Sequence, residues 1–240
     1  MYHINYLKEI DSTNSELKRL ALLGAPSGTV LVADRQTAGK GRLGRSFYSP
    51  ADSGVYMSIL LRPVELSDAG LLTTFTAVAV ARALSKTGVE VGIKWVNDLI
   101  ADGRKLCGIL TEAGTYEKEP FAVIGIGVNL KKTAFPEELR DIVVSLEELT
   151  DTAPDRDTLV NAILGEMEAV NLQHPRDPEA LMNEYRRRSV TLGKPVRVLP
   201  HSGEPFDGMA QAINQDGSLT VRTENGTTRV SSGEVSVKMR

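Results

Sequence analysis

The chain has 240 residues, of which 41% are hydrophobic and 25% charged, enough for one large domain or a medium domain plus a small one. A formal net charge of −3 leaves no overall basic footprint, which argues against a protein built mainly to coat nucleic acid. A single cysteine, Cys107, excludes an internal disulfide framework and any multi-cysteine metal site, and no apolar run approaches the ~20 residues a bilayer requires.

The opening "MYHINYLKEIDSTN" lacks the basic-then-apolar layout of a signal peptide, so a cytoplasmic, soluble and reduced protein is expected. A first strand is expected at residues 2–7. A helix follows from Thr13, where Thr13 and Glu16 have capping-box spacing, and it stops at Gly24. "GTVLVAD" (28–34) and "GVYMSILLR" (54–62) are β-branched, apolar strands, the second closed by Pro63. Leu72, Phe75, Ala79 and Ala83 recur at helical spacing across about 68–86. The stretch 91–114 gives a short strand, a turn and a hairpin with "ADGR" at its tip, and "PFAVIGIGVNL" (120–130) is a buried strand. Two helices are expected at about 155–172 and 177–188. From Leu192 the turn signals "SGEP", "QDGS" and "ENGT" punctuate four or five short strands, which indicates a small barrel. The division predicted is 1–189 for an α+β domain with helices against a mixed, largely antiparallel sheet, and 190–240 for the barrel.

"AGKGRLGRSF" (38–47) matches G-x-G-x-x-G through Gly39, Gly41 and Gly44, yet carries Lys40, Arg42 and Arg45. In a dinucleotide-binding fold this pattern turns directly from a strand into a helix. Here the strand ends near Asp34, and "RSFYSPADSGVYMSILL" leads into another strand. The P-loop pattern fails as well, because Lys40 precedes Gly41 and no Gly-Lys-Ser/Thr occurs. Two readings stay open on the loop alone: a solvated basic loop, or a mobile glycine-rich loop that folds over an anionic ligand.

Five ordered motifs bear on that choice: "DSTN" (11–14), "QTAGKGRLGRSFYSP" (36–50), "KWVNDL" (94–99), "RKLCGILTE" (104–112) and "GIGVNL" (125–130). Together they resemble the biotin protein ligase family over the whole chain, with "GEVSVK" (233–238) similar to its closing strand. Only eleven residues precede Ser12, where repressor-type members carry a winged helix, so the resemblance is to the monofunctional form without DNA binding. It implies a fold like the class II synthetases and ligases with an SH3-like C-terminal barrel. The implied reaction uses ATP, with Mg²⁺, to activate biotin as biotinyl-5′-AMP, and then biotinylates one lysine of a biotin carboxyl carrier protein. No covalent enzyme intermediate is needed, and one cysteine and three histidines offer few nucleophiles.

By the same resemblance, Arg42 and Lys105 meet the carboxylate and α-phosphate as they join, Arg42 through its planar fork. Asp98 orients or deprotonates the acceptor lysine, or is merely a turn-forming Asp. Ser12, Thr13, Asn14, Gln36, Gly39, Lys40 and Gly108 complete the implied biotin site, together with Arg42 and Lys105. Thr13 could equally be only a helix N-cap. Arg42, Arg45, Phe47, Lys94, Asn97 and Asn129 are the implied nucleotide contacts, and Lys40, Arg45, Lys94 and Asn97 resemble the family's nucleotide and metal neighbourhood. No protein metal cage is expected, because Mg²⁺ is held largely by phosphate oxygens. Gly108 and Gly127 either admit a flat bicycle or pack strands closely. Trp95 and Phe47 are candidate aromatic walls, although a lone Trp beside a strand is more often core, and Cys107 reads as an inert core thiol.

Lys40 stands where the family commonly has arginine, Val96 where it has proline and Phe47 where it has tryptophan. A lipoate-type ligase, which shares the adenylation logic, and a non-catalytic biotinyl-AMP-binding module are the rival readings. No membrane partner is expected, and pairing into a homodimer through a sheet edge is left open.

Overall fold

The computed structural model describes residues 2–64, 69–133, 135–200, 203–231 and 235–239. β1 (His3–Ile10) leads into α1 (Thr13–Ala21) and β2 (Thr29–Gln36), and β1 pairs parallel with β2. The remaining neighbours of the first sheet are all antiparallel: β3 (Gly54–Leu61), β4 (Gly92–Lys94), β5 (Asp98–Ala101), β6 (Arg104–Tyr116) and β7 (Glu119–Asn129). Its strand order is β1-β2-β3-β7-β6-β5-β4. The expectation of a mixed, largely antiparallel sheet is met.

The two faces of this sheet are covered unequally. On one face Leu17 and Ala21 of α1 pack with Leu31, Leu60, Phe121 and Val123. On the other, Val30, Val32, Met57, Ile59, Ile124 and Ile126 join the core with α2 (Ala69–Ser85), α4 (Arg156–Val170) and α5 (Pro178–Arg188). A short α3 (Leu146–Leu149) precedes α4. Among the described residues no helix is long and apolar enough to cross a membrane.

Beyond α5, β8 (Pro195–Pro200), β9 (Phe206–Ile213), β10 (Leu219–Thr223), β11 (Gly226–Val230) and β12 (Val235–Met239) form a second, antiparallel sheet ordered β11-β10-β9-β8-β12. Among the described residues its pairings run in an open line from β11 to β12, and no β11–β12 pair closes a barrel. Of the expected closing segment 233–238, residues 233 and 234 lie outside the described residues, as does residue 68 of the expected helix start.

Four expectations need correction. The cap of α1 is Ser12, whose hydroxyl accepts from the Ser15 amide at 3.4 Å, and Thr13 is the first helical residue. Strand β1 runs on to Ile10 rather than ending at residue 7. Strand β2 continues through Gln36, because Ile10 still pairs with it. α3 was not foreseen, although Ser145 and Glu148 form a capping box: the Glu148 carboxylate accepts from the Ser145 amide at 2.9 Å. The hairpin tip behaves as expected, with Asp102 and Gly103 both at positive φ (48° and 73°), as a type I′ turn demands.

Glu184 of α5 ties the helical layer together through Arg82 of α2 at 2.6 Å and Arg188 at 3.2 Å. Burial alone would raise its carboxyl pKa, but hydrogen bonds and charge from both arginines outweigh burial and hold it below the ordinary range. A depressed folded-state pKa means the contribution is complete above the unfolded carboxylate range and is lost as pH falls through the folded value. Glu184→Gln should therefore cost about 2 kcal/mol at pH 7, a Tm loss of roughly 5 °C. Thermal melts should show the gap between variant and parent shrinking as the pH is taken below about 4; a pH-independent gap would mean that the carboxylate charge contributes nothing.

Candidate active site

The site lies on the α1 face of the sheet, beyond the end of the helix. Along β7 the residues on this face are Phe121, Val123, Gly125, Gly127 and Asn129. Under α1 they are bulky, and past it they dwindle to glycine. The missing side chains leave room for groups from elsewhere. A Cβ on Gly127 would sit 2.6 Å from the Phe47 ring, and one on Gly125 would collide with the Asn14 amide. So Gly127, and likewise Gly108 under the Lys105 ammonium, make way for side chains of this chain itself.

Ser12, Thr13, Asn14, Gln36, Lys40 and Arg42 line a cavity on this face. Phe47, Asn97, Lys105, Gly108 and Gly127 complete its polar and aromatic lining, and Gly125, Leu110 and the strand positions of Met57, Ile109 and Ile126 make its floor. Gly39 is not on the cavity surface. It forms the neck of the glycine loop, where its carbonyl accepts from the Phe47 amide at 2.9 Å. Beyond the neck Lys40 bridges Ser46, the Gly41 amide donates to the Arg45 carbonyl at 2.7 Å, and Arg42–Gly44 make one 3₁₀ turn at the tip. The loop is thus a short finger that carries Arg42 back over the cavity.

A second cavity adjoins the first and shares Phe47 and Lys105 with it. Arg45, Lys94, Asp98 and Asn129 line it, with Tyr48, Phe135 and Ile142. The residues expected to contact biotin fall in the first cavity, Gly39 excepted. Four of the six expected to contact nucleotide, Arg45, Phe47, Lys94 and Asn129, fall in the second. The other two, Arg42 and Asn97, sit in the first cavity and are joined to each other: the Arg42 guanidinium donates to Asn97 Oδ1 at 3.3 Å, and Asn97 Nδ2 donates to the Ile109 carbonyl at 2.8 Å.

Lys105 stands at the junction. Its ammonium lies 2.6 Å from Asp98 Oδ1, an ion contact without hydrogen-bond geometry, and 5.8 Å from the centre of the Phe47 ring. The backbone of Lys105 is fixed as well: its amide donates to the Ile142 carbonyl at 2.8 Å, and its carbonyl accepts from the Val144 amide and from Asn129 Nδ2. Asn129 spends its amide hydrogens on the carbonyls of Lys105 and Val144, both at 3.3 Å, so it braces the junction. Desolvation pushes the Arg42 guanidinium below the usual arginine range, and neighbouring Arg45 adds to this while Asp98 opposes it.

Two candidates have other duties. Trp95 does not form a wall of the cavity. It is 3% exposed, and its indole N–H donates to the Gly217 carbonyl of the second sheet at 2.9 Å. Cys107 is fully buried, and burial raises its thiol pKa well above the ordinary value, as expected of an inert core residue. Sequence reasoning missed Ser49, Ser58, Glu112 and Gly125. Ser49 Oγ donates to the Phe47 carbonyl at 2.9 Å and accepts from Gln36 Nε2 at 3.0 Å, which turns the Gln36 oxygen toward the Thr13 amide at 2.8 Å. Ser58 lies between Thr13 and Asn14, at 2.7 and 2.6 Å, and Asn14 Nδ2 donates to Glu112 at 2.9 Å. Among the described residues no group of three or more His, Cys, Asp and Glu is placed to hold a metal ion.

Comparison with known proteins agrees with this geometry. Residues 6–129 match the model of the biotin/lipoate A/B protein ligase family, and residues 191–238 that of the biotin protein ligase C-terminal domain. The biotin–[acetyl-CoA-carboxylase] ligase of Mycobacterium tuberculosis is 36% identical over 97% of this chain and 88% of that protein. The bifunctional ligase/repressor BirA of Bacillus spizizenii is 34% identical over 97% of this chain and 73% of its own length. The structure of the Aquifex aeolicus biotin protein ligase in complex with biotin and ATP superposes with a TM-score of 0.86 at 30% identity, covering 100% of both chains. A chain that folds as these enzymes do, and whose two linked cavities gather the five motifs, belongs to the biotin/lipoate A/B protein ligase family.

Proposed function

We propose that this chain is an ATP-dependent biotin protein ligase, which makes biotinyl-5′-AMP and passes the biotinyl group to a lysine of a biotin carboxyl carrier domain. The observation that carries this reading is the pair of cavities meeting at Lys105 and Phe47: one with a polar, hydrogen-bonding end, the other flanked by Arg45 and Lys94. Biotin would place its ureido ring at Ser12, Thr13 and Gln36 and its carboxylate at Lys105. The nucleotide would occupy the second cavity with its α-phosphate at the same lysine. In the first step a carboxylate oxygen attacks the α-phosphorus, and the bond to the β-phosphate breaks with release of pyrophosphate. Lys105 and Arg42 would stabilise the charge that builds at the meeting point of the two anions, and partial burial strengthens that effect. In the second step the acceptor amine attacks the carbonyl carbon and AMP leaves. Asp98, held beside Lys105, is the nearest carboxylate for the departing proton. Mg²⁺ enters with the substrate as MgATP, held mainly by phosphate oxygens.

The polar end of the cavity favours biotin over lipoate. A dithiolane ring has no N–H to offer the oxygens of Thr13 and Gln36, so it would gain none of the hydrogen bonds that a ureido ring can make at this end of the cavity. We read residues 190–240 as an SH3-like barrel, on the strength of its five short strands and its match to the C-terminal ligase domain. The acceptor class follows from relatives named as acetyl-CoA-carboxylase ligases.

Incubation of the chain with biotin, MgATP and a biotin carboxyl carrier domain, followed by mass spectrometry, should show a single biotinyl adduct on one carrier lysine. Modification by lipoate instead would overturn the choice of ligand, and tight biotin binding without biotin-dependent ATP–pyrophosphate exchange would support a non-catalytic module. Lys105→Ala should slow adenylation by roughly 10²–10³ while leaving biotin affinity within a few-fold; equal losses in both would reduce Lys105 to a binding contact. Arg42→Gly should let the adenylate escape roughly 10–100 times faster, read as biotin spread over many lysines of a bystander protein.

A further inference from the structure

The pairing of β6 with β7 starts at Cys107, opposite Val128, so Arg104, Lys105 and Leu106 at the head of β6 have no partner on that strand. At Lys105 the 142–144 segment takes the place of β7. The Lys105 amide donates to the Ile142 carbonyl at 2.8 Å, and the Val144 amide donates to the Lys105 carbonyl at 3.0 Å. In this parallel pattern the peptide groups of Val143 point away from Lys105. Its amide donates to the Leu139 carbonyl at 3.0 Å, and its carbonyl accepts from Arg104 Nη1 at 3.4 Å. The same Arg104 nitrogen donates to Glu148 Oε1 at 3.3 Å. The other Glu148 oxygen accepts from the amide and the hydroxyl of Ser145, both at 2.9 Å. Ser145 is fully buried, so both groups need these bonds. Burial tends to raise the Glu148 carboxyl pKa, but the hydrogen bonds from Ser145 and Arg104 outweigh it and hold the group below the ordinary range, hence ionised. Asn129 thus holds the segment at the Val144 carbonyl, beside Lys105, and Arg104, itself held by Glu148, holds it at the Val143 carbonyl on the outer side. Ile142 and Val143 also line the second cavity, with Arg45, Lys94 and Lys105. One short segment therefore fixes the backbone of the lysine and walls the space beside it.

We propose that Arg104 and Glu148, which line neither cavity, are positioning residues: as a clamp on the 142–144 segment they set Lys105 and the wall of the second cavity together, so that nucleotide affinity and adenylation rate depend on them. Biotin affinity does not, because no residue of that segment lines the first cavity. The nucleotide half of this statement rests on the function proposed above; the clamp does not.

The test uses two substitutions that cut the link and leave α3 capped. Arg104→Met removes the donor. Glu148→Gln keeps an oxygen for Ser145, as a capping box allows, but turns an NH₂ toward Arg104. In biotin-dependent ATP–pyrophosphate exchange, Arg104→Met should raise the KM for ATP roughly fivefold and Glu148→Gln roughly threefold. In both, kcat should fall by a similar factor while the Kd for biotin stays within twofold. The double variant should be no worse than Arg104→Met alone, since one link is cut twice; multiplied losses overturn the clamp as a unit. Glu184→Gln, which loosens the helical layer instead, should leave the KM for ATP within twofold. An equal rise there, or biotin affinity lost in step with ATP, means general destabilisation and overturns the proposal. Hydrogen exchange at the Lys105 and Val144 amides of the unliganded protein should be roughly tenfold faster in Arg104→Met than in the parent. Unchanged amide rates overturn the clamp whatever the ligand is. A parent that lacks biotin-dependent pyrophosphate exchange, with these amides still responding to Arg104→Met, upholds the clamp and overturns the biotin reading alone.

Discussion

Like charges must be held together for this site to exist. Lys40, Arg42, Arg45, Lys94 and Lys105 all line the paired cavities, and Asp98 touches Lys105 there. Two unit charges about 4 Å apart repel by several kcal/mol once partly withdrawn from water. The fold resists this mechanically. Arg42 is carried on a finger closed by its own backbone hydrogen bonds, and Lys105 sits in a strand whose amide and carbonyl are both tied to the 142–144 segment. A pre-assembled positive field of this kind, lowered in dielectric by Phe47 and the sheet floor, costs no reorganisation when an anion arrives.

The sheet supplies room for that assembly by withholding side chains. Gly108 on β6 pairs directly with Gly127 on β7, and Gly125 lies two residues before Gly127 in the same patch of sheet. Into that patch descend Asn14 from α1, Phe47 from the loop and Lys105 from its own strand. The floor is made by backbone and the walls by visiting side chains, so residues far apart in sequence share one surface. This also explains why the first cavity has a polar end on a sheet that is otherwise a hydrophobic core.

The sequence made the elements legible wherever periodicity was long or turn chemistry explicit: α1, β3, the "ADGR" hairpin and α4 stand where expected. The turn at Glu117 and Lys118 was not legible, since both adopt positive φ without glycine or asparagine to announce it. Ser12 and Thr13 are both competent caps, and the choice between them depends on Gln36, 23 residues away from Thr13. The site residues were legible through their motifs, and these located the cations and the glycines. They did not disclose partnerships. Asn14 and Glu112 are 98 residues apart, and Arg42 and Asn97 are 55 apart. Nothing in either local stretch indicates that the two meet. Trp95 shows the converse, a residue beside the motif whose ring points away from the chemistry.

That indole has a mechanical corollary. Its N–H holds the Gly217 carbonyl at the turn before β10, and its own amide donates to Thr191 Oγ1 at 2.8 Å, just before β8. Two residues further along the same backbone, Asn97 holds Arg42. The second sheet is therefore geared to the fingertip through a lever two residues long. A displacement of the 214–217 turn is shared between Trp95 and Arg186, which holds Gln215 at 3.2 Å, and on its way to Asn97 it meets the Val96 carbonyl, braced by the Tyr185 hydroxyl at 2.9 Å.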